Sequence, residues 1–249
     1  VRVLPNGTLL DFFTGLGVTP AGSSIGYLKS TNKGASWSAP TFPIDIQSSG
    51  AVTPNSGEAV RDASILFSVA VDPMSGALYL VWQDTRFSTA KCSTPNGPFD
   101  IEEILFSQSN DNGATWSTPV KINKTPVNAT KPCRQQAFIP AVAVAGNGTV
   151  VVTYYDFRYD TDSSDFEGTD YFALFCNTAC TDPGKWGYEK RLTEASFNML
   201  DAPNAGGHFL GDYMGLAATG PRTRTVHPVF GIATAPNVTA EFTRKITLP

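Results

Sequence analysis

Charge is scarce in this chain. Asp, Glu, Lys and Arg make up 16% of its 249 residues, against 41% hydrophobic. That balance excludes the highly charged, weakly apolar composition of disordered chains. Lys and Arg form no cluster and the formal net charge is −4. A phosphate-matching footprint is therefore lacking, and nucleic acid is not expected as a partner. No apolar run approaches the roughly 20 residues of a membrane helix, so no membrane span is expected. Two histidines are too few for a typical His-based metal site, and the cysteines follow no common zinc spacing. An initiator Met and a signal peptide are also lacking. Val1 to Leu10 reads as a hairpin in mid-flow, so a mature or truncated product is expected.

What is present points to strands and turns. The 22 Gly and 18 Pro stand beside 16 Phe and 8 Tyr, which suits short strands joined by many turns. The length allows a large buried core in one domain or one repeat array. Four cysteines occur, Cys92, Cys133, Cys176 and Cys180, with N-glycosylation sequons at Asn6, Asn123, Asn128, Asn147 and Asn237. Asn6 and Asn147 each precede Gly, which is also a favoured hairpin turn. An even cysteine count with several sequons favours an oxidising setting, and a secreted, glycosylated protein is expected.

The chain repeats. Residues 67–86 hold an apolar run, a turn at Pro73-Met74-Ser75-Gly76, and a second run ending Trp82-Gln83-Asp84-Thr85-Arg86. Residues 140–158 repeat the plan around Ala145-Gly146-Asn147-Gly148 and end Tyr154-Tyr155-Asp156-Phe157-Arg158. Each reads as a hairpin of two buried strands closing on Asp-x-Arg. The first ten residues look like the end of another, and 215–232 like a weaker copy. A second signal follows these hairpins. Ser109-Asn110-Asp111-Asn112-Gly113-Ala114-Thr115-Trp116 lies between two predicted strands, as does Ser30-Thr31-Asn32-Lys33-Gly34-Ala35-Ser36-Trp37. Thr181-Asp182-Pro183-Gly184-Lys185-Trp186 is a degraded relative. A short side-chain oxygen in such a turn can accept backbone N–H bonds, and Gly supplies the unusual dihedral. The Trp is expected to fold beneath the turn and bury its ring.

The Ser-x-Asp-x-Gly-x-Thr-Trp string resembles the Asp box of the sialidase-like propellers, complete at 109–116 and altered at Asn32 and Ser36 of the earlier copy. The resemblance spans most of the chain. It implies an all-β propeller of four-stranded blades, with units near 1–45, 60–124, 135–195 and 205–249. Sialidase-like propellers usually have six blades, so these four imply part of a larger ring, and 1–249 is expected to be one propeller domain or segment. Within that topology Cys92 follows the second strand of one unit and Cys133 precedes the first strand of the next. The two can meet on one face, while Cys176 and Cys180 flank a tight loop. The expectation is Cys92–Cys133 and Cys176–Cys180, although four cysteines allow three pairings.

Propeller ligands lie near the axis, on the face carrying the loops after the second and fourth strands. The resemblance gathers there Arg61, Asp62, Asp84, Arg86, Arg134, Asp156, Arg158, His208, Asp212 and Tyr213. Acids and amides suit sugar hydroxyls, Arg suits a carboxylate, and aromatics suit sugar faces. The two Asp-x-Arg pairs recur at equivalent positions, and repeated pairs more often tie a loop to its neighbour. The family's early Arg-Ile-Pro motif is absent, and no arginine triad can be matched residue by residue. Catalytic residues therefore stay unassigned, with Tyr155 and Tyr213 no more than possible counterparts of the family's Tyr nucleophile. No cofactor is required, but Asp160, Asp162, Asp165 and Glu167 form an acidic run that could offer oxygen ligands to Ca²⁺. The expected partner is a glycan or glycoconjugate, bound without turnover in this segment. A sialidase-type hydrolase completed by further blades and a protein-interaction scaffold are the alternatives. The oligomeric state is not legible.

Overall fold

The computed structural model describes residues 1–20, 22–220 and 222–248. It is all-β. The first sheet orders β1 (Arg2–Val3), β2 (Leu9–Leu16), β3 (Ser23–Ser30) and β4 (Thr41–Ile46). In the second, β5 (Phe67–Val71) pairs β6 (Leu78–Asp84), and after a small hairpin of β7 (Lys91–Thr94) and β8 (Gly97–Asp100), β9 (Glu103–Ser109) and β10 (Val120–Lys121) complete it. The third orders β11 (Ala137–Val144), β12 (Val150–Asp156), β13 (Gly168–Cys176) and β14 (Tyr188–Arg191), with β15 (Phe197–Asn198) on β13. The last orders β16 (Gly215–Ala218), β17 (Thr225–Ala235) and β18 (Val238–Thr243), with β19 (Ile246–Thr247) also on β17. All the ladders are antiparallel.

Burial explains the apolar runs. Every residue of β6, β12 and β13 is buried, because each strand is central to its sheet and each sheet is covered on both faces. The outer β14 alternates exposed and half-buried residues. Three apolar cores lie between successive sheets. Leu10, Ile25 and Ile44 meet Leu80, Trp82 and Leu105. Val81, Ile104 and Phe106 meet Val152, Tyr154 and Leu174. Tyr155, Tyr171 and Phe175 meet Val226, Phe230 and Ile246.

The two Ser-x-Asx-x-Gly turns share one bonding pattern. In the later copy Thr115 N donates to Asp111 Oδ1 at 2.9 Å and Gly113 N to Ser109 Oγ at 3.0 Å. In the earlier copy Ser36 N donates to Asn32 Oδ1 at 2.9 Å and Gly34 N to Ser30 Oγ at 2.9 Å. Gly113 and Gly34 sit at φ of 85° and 87°, the left-handed region that favours glycine. Trp116 stands against Phe12 of the preceding sheet, and Trp186, fully buried, against Phe106 of its own predecessor. Trp37 departs from expectation and is 39% exposed. It belongs to the first sheet, so no earlier sheet of this chain covers it.

The structure pairs Cys92 with Cys133 and Cys176 with Cys180. The first bridge ties the β7–β8 hairpin to a 3-10 turn at Pro132–Gln135, over a small cluster with Val52 and Ile101. Antiparallel meandering places the two Ser-x-Asx-x-Gly turns on one side of the molecule. The long connections 47–66, 85–102, 122–136, 157–167 and 192–214 lie on the other.

Candidate functional site

The connection from the first sheet to the second runs in irregular backbone across that loop-bearing side. Its amide groups need acceptors, and buried side chains of other segments, together with Asp62 of the same connection, supply them. Gln47 N donates to Asp84 Oδ2 at 2.9 Å, and Ser49 N and Gly50 N donate to Glu102 Oε1 at 2.7 and 2.9 Å. Ala51 N donates to Asp62 Oδ2 at 2.6 Å, and Val52 N to Gln136 Oε1 at 3.1 Å. Asn55 N and Ser56 N both reach Glu167. Residues 47–56 thus form a strap whose path is set by acceptors from neighbouring sheets and loops.

Beside the strap, where the innermost strands β5, β11 and β16 begin, lies a cavity of about 280 Å³. That is at the small end of ligand pockets, which run from roughly 300 Å³ upward. Its polar wall carries Arg2, Asp62, Gln83, Asp212 and Tyr213, and its apolar wall includes Phe67, Ile139 and Met214. Gln83 organises the floor. Its Nε2 donates to Asp62 Oδ2 at 2.5 Å, and its Oε1 accepts from Ile139 N at 3.2 Å. Ile139 has φ of 50° at the point where the β11–β12 register shifts, and Ala63 has φ of 51°. Backbone strain at a β-branched residue is uncommon and gathers at functional sites.

Burial pushes the Asp62 carboxyl above its ordinary value, against the hydrogen bonds from Gln83 and Ala51. Glu102 lies behind it. Burial first, and then the charge of Asp62, push Glu102 up to about 8, against the donors of Ser49, Ser48 and Gly50. Its Oε2 is buried without a hydrogen-bond partner.

Of the residues proposed from sequence, Asp62, Asp212 and Tyr213 meet at this cavity. Arg61 joins through Asp212, at 3.3 Å, and lies over the Phe209 ring. His208 faces elsewhere. It is buried, its Nε2 lies 2.9 Å from Glu58, and its backbone adds a short ladder to Ala59 and Arg61. The Asp-x-Arg pairs are internal ties. Asp84, fully buried, accepts from the Trp82 indole, Gln47 N and Arg86. Asp156 accepts from Thr125 and Arg158, while Arg158 also grips Glu189 and covers Phe172 at 3.8 Å. Tyr155 is buried behind the cavity wall, its hydroxyl donating to Gly231 O at 2.8 Å and lying 3.3 Å from the sulfur of the lining Met214.

Arg134 lies at a second cavity, of about 270 Å³, with Lys131 and Asn55. Its guanidinium pairs with Asp160 and Asp162. Asp160 also accepts from Asn55 and Gly168 N, Glu167 holds the strap, and Asp162 pairs with Lys131 at 3.0 Å. Asp165 is exposed and joins none of these contacts. Among the described residues no three His, Cys, Asp or Glu side chains gather as a metal site. Asp160, Asp162 and Glu167 answer protein donors, with Arg134 shared by Asp160 and Asp162 and the Asn55 amide shared by Asp160 and Glu167.

Among the sequons, Asn123 is buried, donating to Glu103 at 2.7 Å and accepting from Ile104 N at 3.0 Å. Asn128 is half-buried, whereas Asn6, Asn147 and Asn237 are exposed.

No protein-family model matches the chain, and no curated protein matches it. Solved structures do. The sialidase of Trypanosoma rangeli, solved with 2,3-difluorosialic acid as a covalent intermediate, superposes at a TM-score of 0.51 with 15% identity, over 98% of this chain and 35% of that one. The NanB sialidase of Streptococcus pneumoniae gives 0.51 with 10% identity, over 97% and 48%. This chain therefore spans less than half the length of either. At such identity the likeness establishes the fold, a β-propeller of the sialidase-like kind.

Proposed function

We propose that this chain is a secreted, carbohydrate-directed segment of an Asp-box propeller, and that it binds a glycan in the axial cavity without turning it over. One observation carries the reading. At the mouths of the innermost strands, a carboxyl and an amide locked to each other, Asp62 and Gln83, share a small cavity with the 74% exposed Tyr213 ring. Paired hydrogen-bonding groups beside an aromatic face are what a sugar's hydroxyls and C–H face require. The sialidases that share the fold are sugar-processing enzymes, which agrees with the reading. The two disulfides agree with an oxidising, extracellular setting.

Hydrolysis is the second reading, favoured by two carboxyl groups in unlike environments on one cavity. Asp62 is buried and Asp212 is ion-paired to Arg61. A glycan array and a fluorogenic glycoside assay on the same sample separate the two. Sugar binding without turnover, weakened by Tyr213→Ala, is the expected result. Turnover abolished by Asp62→Asn would replace binding with hydrolysis. Silence in both assays would leave a protein-interaction scaffold.

A further inference from the structure

Resting on the axial cavity as the glycan site, we infer that its ligand is a neutral sugar and not an acidic one. Recognition of a sugar carboxylate calls for guanidinium forks converging on it. Here the arginines of the loop-bearing side are already held. Arg86 is bound to Asp84, Arg134 to Asp160 and Asp162, Arg158 to Asp156 and Glu189, and Arg191 to Asp170. Arg61 is bound to Asp212 and to the Ala205 carbonyl. Arg2 is the one guanidinium on the cavity wall among the described residues, and its Nε donates to the Val69 carbonyl at 2.8 Å.

Opposed to Arg2 stand Asp62 and Asp212 on the wall, with Glu102 buried behind Asp62. Neither Asp62 nor Glu102 pairs with a Lys, Arg or His among the described residues. An anionic sugar would place its charge beside the Asp62 and Asp212 carboxyls on the wall, in a partly desolvated space where like charges are penalised. A neutral sugar meets no such cost. Its hydroxyls can donate to Asp62 or Asp212, and its C–H face can lie on Tyr213 or Phe67.

The test is calorimetric titration of the whole chain with neutral oligosaccharides, each matched to the same sugar capped by a sialic or uronic acid. Binding of a neutral member, with its acid-capped partner weaker by about tenfold or more, is expected; tenfold corresponds to about 1.4 kcal/mol. The binding is lost in Tyr213→Ala, an exposed position whose replacement leaves the fold intact. Equal or tighter binding of the acid-capped partner, with any advantage removed by Arg2→Gln, would overturn the neutral class while leaving the cavity as the glycan site. No binding by any member, or binding untouched by both Tyr213→Ala and Asp62→Asn, would sink the glycan site and this inference together.

Discussion

Glu102 is fully buried with one carboxyl oxygen unpartnered, and this has a pH consequence. Its folded-state value, about 8, lies above the ordinary 4.5. The protonated form is the one the fold tolerates. Its contribution to stability is complete below about 4.5 and is lost as pH rises toward 8. Asp156, raised to about 6 chiefly by burial, acts in the same direction. The melting temperature should therefore fall between pH 5 and pH 8, although Asp111, held down at about 2 by Thr115 and Ser109, opposes this at strongly acid pH. Glu102→Gln keeps an acceptor for the strap and removes the titration. It should flatten the profile and raise the melting temperature at pH 8, at roughly 2–4 °C per kcal/mol for a chain of this size. An unchanged slope in a pH series of thermal melts would show that Glu102 is not the group. At Asn123, glycopeptide mapping of secreted protein should find no sugar, and Asn123→Ala should destabilise by about 1–3 kcal/mol by removing the donor to Glu103 Oε2 and the acceptor of the Ile104 amide. The residue that sequence reading missed is Gln83. It occupies the place that Tyr155 holds in the other repeat, and a polar residue replacing an aromatic at an equivalent buried strand end was the available signal.

Elements divide between those written in local pattern and those written by distant partners. The hairpins and the Ser-x-Asx-x-Gly turns were legible because each is a short-range, repeated unit, whereas the Asp-x-Arg pairs, equally repeated, stood among the ligand candidates. The ties should behave as scaffold. Arg158→Ala leaves Asp156 and Glu189 without their cation and should cost about 3–5 kcal/mol, read by denaturant unfolding. If the neutral sugar then still binds at temperatures where the variant is folded, the tie is structural; lost binding with unchanged stability would give Arg158 a ligand role. The strap at 47–56 was not legible. Its Ser- and Gly-rich sequence reads as loop, and the acceptors that shape it, Asp84, Glu102, Asp62, Gln136 and Glu167, lie up to 112 residues away. Nor did the acidic run reveal its use. Closely spaced carboxylates look alike in sequence whether they face a cation or answer Asn55, Arg134 and backbone amides.

At the scale of the whole molecule, three apolar cores between successive sheets carry the fold; the apolar runs predicted the buried hairpins, and the Asp-box resemblance implied their assembly as propeller blades. The Cys92–Cys133 bridge closes 41 residues and fastens the second sheet's long loop to the entry of the third. Replacing both cysteines by serine should cost about 3–4 kcal/mol on chain entropy, checked by comparing unfolding midpoints. The axial cavity belongs to this scale too, since its walls come from all four sheets, with Arg2, Phe67, Ile139 and Met214 on or beside their innermost strands. No local motif encodes such a place; only the order of the sheets brings it together. The most direct test of the account is an amide chemical-shift titration with a neutral oligosaccharide that binds. The account predicts shifts concentrated at Asp62, Ala63, Gln83 and Tyr213. Shifts confined to the Lys131–Arg134 cavity, or to the opposite side around Gly34 and Gly113, would contradict it.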